Sequence, residues 1–267
     1  IAHAGLDVEQ GAGVAGGDVV FDSTVPAGSN LTLSGLVTLP GTIAINVNNP
    51  GMTAALGTIT RQGGAGPISI TKTGLGTLAL GALAPGNTVT LNLNDGNLSL
   101  LHDGDGTGSR QVINTGITLN PTAAVNLTIG RLGSAYAPLF ALASNKTLQM
   151  PGFALPGTLS VTNNHGHGLE LTTPTTLGTQ SWISVSTASA SNQVNGLTIS
   201  GTVSGTAGIT KTGNGTLELT NAGNSASLTG NLDVQLGVLA ARNDGPLGNS
   251  ANQITLNTNL TSAGSRA

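Results

Sequence analysis

Apolar and small polar residues alternate along this chain in short runs. Leu31-Thr32-Leu33, Ile43-Ala44-Ile45-Asn46-Val47, Ile68-Ser69-Ile70, Thr77-Leu78-Ala79-Leu80 and Val89-Thr90-Leu91-Asn92-Leu93 all follow the pattern. So do Val125-Asn126-Leu127-Thr128-Ile129, Leu159-Ser160-Val161, Leu169-Glu170-Leu171, Leu197-Thr198-Ile199 and Ile254-Thr255-Leu256. A period of two places one set of side chains in a core and the other in solvent, which predicts β-strands. Gly, Asn, Pro and Ser-Gly turns separate the runs. No stretch carries helical periodicity; 135–143 comes nearest, and Pro138 interrupts it.

The pattern recurs at long range. The segment Ile70-Thr71-Lys72-Thr73-Gly74-Leu75-Gly76-Thr77-Leu78-Ala79-Leu80 returns as Ile209-Thr210-Lys211-Thr212-Gly213-Asn214-Gly215-Thr216-Leu217-Glu218-Leu219, changed only at its sixth and tenth positions. Gly96-Asn97-Leu98 later answers to Gly237-Val238-Leu239, and Ile117-Thr118-Leu119-Asn120 to Ile254-Thr255-Leu256-Asn257. The expectation is nearly two copies of a unit of about 140 residues, matching at 70–120 and 209–257, within a single continuous array over 1–267. In each motif Gly74 and Gly76, or Gly213 and Gly215, are expected to supply a positive-φ corner. Leu78, Leu80, Leu217 and Leu219 fall on the inward phase. Lys72 and Lys211, each flanked by Thr, are assigned to the polar phase and predicted to point outward.

Composition narrows the architecture. Of 267 residues, 41 are Gly, 38% are apolar, 7% charged and 2% aromatic. That is too apolar for a disordered chain and too poor in Glu, Lys, Arg and Met for a helical one. A β-sandwich needs bulky residues to fill a wide core, and this chain has five aromatics: Phe21, Tyr136, Phe140, Phe153 and Trp182. A solenoid core is narrow and can be filled by stacked Leu, Ile, Val and Ala, with Thr, Ser and Asn ladders outside. The fold class predicted is therefore all-β: a parallel β-helix, or β-solenoid, with short strands. Rungs of roughly 20–25 residues would give about 11–13 coils and a rod of about 55–60 Å.

These residues also carry a resemblance. Ile-Thr-Lys-Thr-Gly-x-Gly-Thr-Leu-x-Leu, followed by a Gly- and Asn-rich stretch and Gly-x-Leu, resembles the passenger-associated β-strand repeat of bacterial autotransporters and related giant surface proteins. Both copies match, at 70–100 and 209–241, and Arg242-Asn243-Asp244-Gly245-Pro246-Leu247-Gly248 is similar to that repeat's continuation. The resemblance implies a right-handed coil that is secreted and displayed on a bacterial envelope. It covers about a quarter of the chain directly. The family's C-terminal membrane barrel is not seen here, and Ile1 follows neither an initiating Met nor a leader, so a mature or excerpted chain is expected.

Candidate chemistry is sparse. A net charge of −3 and eight scattered basic residues disfavour nucleic acid, and no apolar run reaches the ~18 residues of a membrane-spanning helix. Zero Cys excludes disulfides and the common structural zinc sites. Asp103-Gly104-Asp105-Gly106-Thr107-Gly108 echoes the start of a calcium loop but lacks the closing carboxylate, since the twelfth position is Asn114. A plain Asp-Gly turn is the favoured reading of Asp103 and Asp105. His165-Gly166-His167 could set two imidazoles together, yet reads better as a turn. Trp182 is expected in the core or at an end cap. No cofactor and no catalytic constellation are expected, so the chain is read as non-enzymatic. The function expected is an extracellular stalk, fibre or adhesin segment whose chief partner is itself, end to end or side by side. The rivals are an adhesin reading glycans or proteins of a host or neighbouring cell through 136–155 or 189–195, and a β-helix polysaccharide-degrading enzyme.

Overall fold

In the computed structural model, residues 19–21, 30–131, 144–178, 181–187 and 196–256 are described. They form a parallel β-solenoid of about eight turns. The only helical pieces among them are Asn224–Ser227 and a single 3-10 turn at Gly245–Leu247.

Each turn visits three faces. The first carries Val19–Phe21, Thr42–Val47, Pro67–Thr73, Thr88–Leu93 and Ile117–Pro121. Further along the rod the short pieces Ala154–Leu155, Thr175–Leu177 and Val203–Ser204 continue it. The second face is the longest, ten strands deep: Asn30–Leu39, Thr53–Arg61, Thr77–Leu80, Asn97–Leu101, Val125–Gly130, Thr158–Asn163, Ser181–Thr187, Ile209–Thr212, Leu232–Val234 and Ile254–Leu256. The third holds Gln111–Asn114, Lys146–Met150, Gly168–Leu171, Leu197–Ile199, Thr216–Leu219 and Val238–Ala241.

Every strand pairing is parallel, and register is what turns alternation into a core. On the second face Ala54, Leu78, Leu98, Leu127, Val161 and Val185 stand in one inward column. All six are buried. Each fully buried aliphatic side chain contributes roughly 1.5–3 kcal/mol. Because like sits over like, the narrow core closes without large aromatics. Outside, Thr42, Ser69, Thr90 and Thr118 form a column on the first face. Beside it Asn120 Nδ2 donates to Asn92 Oδ1 at 3.3 Å.

Coil length departs from expectation. Asn126 lies opposite Asn97 and Leu159 opposite Val125, 29 and 34 residues on, where 20–25 was predicted. The excess lies in insertions at the corners, the 102–110 loop and the 131–145 connection, which alternation cannot register. Nine spacings of about 4.8 Å along the ten-stranded face give a described rod of about 43 Å, shorter than predicted.

Candidate functional site

The two motif copies build the same corner. In Pro67–Thr73 the buried positions are Ile68, Ile70 and Lys72, so the lysine belongs to the inward phase. The outward prediction for Lys72 and Lys211 is overturned: they are 0% and 1% exposed. A Lys between two Thr looks polar, but phase is set by residues two away, and those are isoleucines.

Burying an ammonium is tolerable only when its donors are met. Lys72 Nζ donates to the carbonyls of Thr73 (2.9 Å), Gly74 (2.5 Å) and, from the next coil, Asp95 (3.1 Å). Lys211 Nζ repeats this with Thr212 (2.5 Å), Gly213 (2.9 Å) and Leu236 (3.0 Å). Each lysine thus fastens its own corner to the coil stacked after it. It also satisfies carbonyls that the turn removes from the ladder. Burial pushes Lys72 down from 10.5 to about 8, with the Asp95 charge pulling back upward. Burial alone takes Lys211 down to about 8.

The glycines divide the labour. Gly74 and Gly213 have φ of 77° and 74°. Gly76 and Gly215 have no positive φ, contrary to expectation; their role is close approach, for a Cβ on Gly76 would stand 2.5 Å from Asn49 O. Leu78, Leu80, Leu217 and Leu219 are fully buried on the strand that follows. Gly96 and Gly237, in the next coil, are part of the corner and were missed as such. A Cβ there would lie 2.3 Å from the Gly74 or Gly213 carbonyl and beside the lysine Nζ. Their signal was in the sequence, as the matched Gly at the head of each Gly-x-Leu.

The copies do not share a place on the coil. Lys72 ends a first-face strand and turns onto the second face; Lys211 ends a second-face strand and turns onto the third. The 139 residues between them make five turns and one face more, so the sequence repeat conserves a corner and not a full coil.

A third lysine is buried by another route. Lys146 opens a third-face strand and is 0% exposed. Its Nζ donates to Asp105 Oδ1 at 2.5 Å and to the Ser109 carbonyl at 2.8 Å. Asp105 also accepts from Ser109 Oγ (2.8 Å) and Thr107 N (3.1 Å). The Lys146 bond, chiefly, holds its carboxyl well below the usual carboxylate range. The Asp103–Gly108 segment is a turn whose Asp105 carboxylate is taken by an ammonium from the next coil. With that, every lysine in the chain is buried.

Other predicted sites resolve differently. His165 and Gly166 have φ of 58° and 71°, a turn. His167 Nε2 donates to His102 O at 2.9 Å, and His102 Nδ1 accepts from Gly104 N at 2.9 Å, so backbone partners occupy ring nitrogens a metal would need. Burial pushes His102, His165 and His167 all below their ordinary value. No three His, Cys, Asp or Glu converge among the described residues. Trp182 is 42% exposed on the outward phase of the second face, which overturns its placement in the core or a cap. Of the rival loops, Tyr136, Phe140 and 189–195 lie outside the described residues, while Phe153 is buried. On the third face Glu170 accepts from Gln149 Nε2 (2.8 Å) and Ser200 Oγ (2.6 Å), and Glu218 from Thr198 Oγ1 (3.4 Å). Buried amides add further ties between coils. Asn224 accepts from Val203 N at 2.7 Å and donates to Pro246 O at 2.8 Å, linking three coils.

No family model, curated protein or solved structure matches this chain.

Proposed function

We propose that this chain is a structural segment of a cell-surface stalk, fibre or adhesin that works outside the cell by being long, stiff and hard to unfold locally. The observation that carries the reading is the investment in tying coil to coil. Three buried lysines and buried asparagines cross from one turn to the next, along a ten-stranded face with a continuous aliphatic column. Such ties oppose peeling of single coils, which is the weak mode of a quasi-one-dimensional fold. The resemblance of both motif copies to the autotransporter passenger repeat supports a secreted, displayed protein.

End-to-end self-association belongs to the same proposal. In the last described strand Ile254 and Leu256 are 46% and 63% exposed, whereas their partners one coil earlier, Leu232 and Val234, are buried. Apolar inward positions beside an unpaired strand edge invite another coil. Electron microscopy of the purified protein across a concentration series tests this. Rods that lengthen in steps of one molecule support head-to-tail assembly; isolated short rods at every concentration refute it, leaving only the stiff segment.

A further inference from the structure

Trp182, Thr210 and Asp233 follow one another in register across three successive strands of the second face. Trp182 is the only tryptophan of the chain and is 42% exposed. Thr210 lies on the same outward column yet is only 1% exposed, which makes it a floor between the two larger side chains. Beside the column runs an open groove of about 360 Å³ lined by Thr206, Thr210, Thr229, Asn231 and Asp233, with Ile209 at its base. Asp233 is only half used: its Oδ2 accepts from Gln235 Nε2 at 2.9 Å, while Oδ1 is shielded from water and has no partner. A shielded acceptor without a donor is unfavourable, and a ligand hydroxyl relieves it.

We propose that this column and groove form a saccharide-binding site. The indole offers a flat apolar face on which the C–H face of a pyranose ring stacks, as an amphipathic aromatic does at wet interfaces. Asp233 Oδ1 takes a sugar hydroxyl, and the Thr206 and Thr229 hydroxyls and the Asn231 amide line the rest with groups that both donate and accept. Trp182 and Asp233 are two strands, about 10 Å, apart, so the ligand is a disaccharide or longer. A small organic cation would need further aromatic or acidic walls, and the lining supplies hydroxyls and an amide instead. The inference goes beyond the stalk reading and stands without it, since the site lies on a rigid sheet face and needs neither polymerisation nor display.

The single tryptophan makes the test direct. Its emission is followed while cellotetraose, chitotetraose or maltotetraose is added to the intact protein, with tetramethylammonium chloride as the cation probe. A saturable shift with at least one tetrasaccharide is expected, together with protection of Trp182 from acrylamide quenching. By calorimetry, Trp182→Ala and Asp233→Ala each weaken binding tenfold or more, Trp182→Phe retains most of it, and melting temperatures stay near the parent's. No saturable response to any tetrasaccharide overturns the proposal. So does a response to tetramethylammonium alone, or binding that survives both alanine variants. If a variant fails to fold, the quenching experiment on the parent protein still decides.

Discussion

The Lys72 and Lys211 corners bury an ammonium in a cage of backbone carbonyls, whereas the Lys146 corner buries the same group against a carboxylate on an inserted loop. The cage is local. Its acceptors are the next two residues and a residue 23 or 25 positions on, so an eleven-residue motif and a glycine in the following coil suffice to specify it. That is why it can be copied onto a different face of the coil. The carboxylate solution needs the 102–110 loop, shaped by Gly104 and Gly106, and a lysine 41 residues away. It has no second copy in this sequence. A corner made of backbone is portable; one made of side chains is bound to its loop.

The largest way to break the comparison is to remove both cages. Lys72→Met with Lys211→Met leaves six carbonyls without their donor and is expected to lower stability by about 3 kcal/mol per site, read from urea unfolding. Lys146→Met with Asp105→Ala removes donor and acceptor together and should cost clearly less, because no charged partner is left behind. Equal losses at both kinds of corner would erase the distinction.

Next in size is Gly96→Ala. At φ 79° a Cβ points at the Gly74 carbonyl, so a loss of about 2 kcal/mol is expected, with Lys72 becoming more accessible. The same change at Gly35, which faces open space, should cost under about 1 kcal/mol and serves as the control.

The pH dependences are smaller and opposite in sign. Asp105 is held below its ordinary 3.8, so its contribution is present above about pH 4 and fades as pH falls; Asp105→Asn should flatten that acid limb. Lys72 and Lys211 are held at about 8 against 10.5 unfolded, so between those values the unfolded chain carries more protons than the native one. Native stability therefore rises with pH across that window. Thermal melts at pH 7.5 and 10 should show the gain in the parent and lose it in the double Met variant.

Much of the fold could be read in advance because one parameter, alternation, governs both strand and core. Leu78, Leu98 and Leu127 needed only their neighbours to be placed inward. What escaped depended on partners that alternation does not name. Lys72 was misread because Thr71 and Thr73 drew attention away from Ile68 and Ile70, which set its phase. Asp105 is matched by Lys146 only after a coil has closed between them. Trp182 was expected inside because aromatics are usually buried, but a core of stacked aliphatics has no vacancy of its size. Asn224 and Asn252 also carried a trace in sequence, in the paired Gly-Asn-Ser-Ala of 223–226 and 248–251.

The most direct trial of the buried lysines is acetylation of the native protein followed by peptide mass spectrometry. Lys72, Lys146 and Lys211 should stay unmodified while the N-terminal amine reacts, and all three should label together once urea unfolds the rod. Acetylation of Lys72 or Lys211 in the folded protein at the rate of a free lysine would contradict the carbonyl cages and the account built on them.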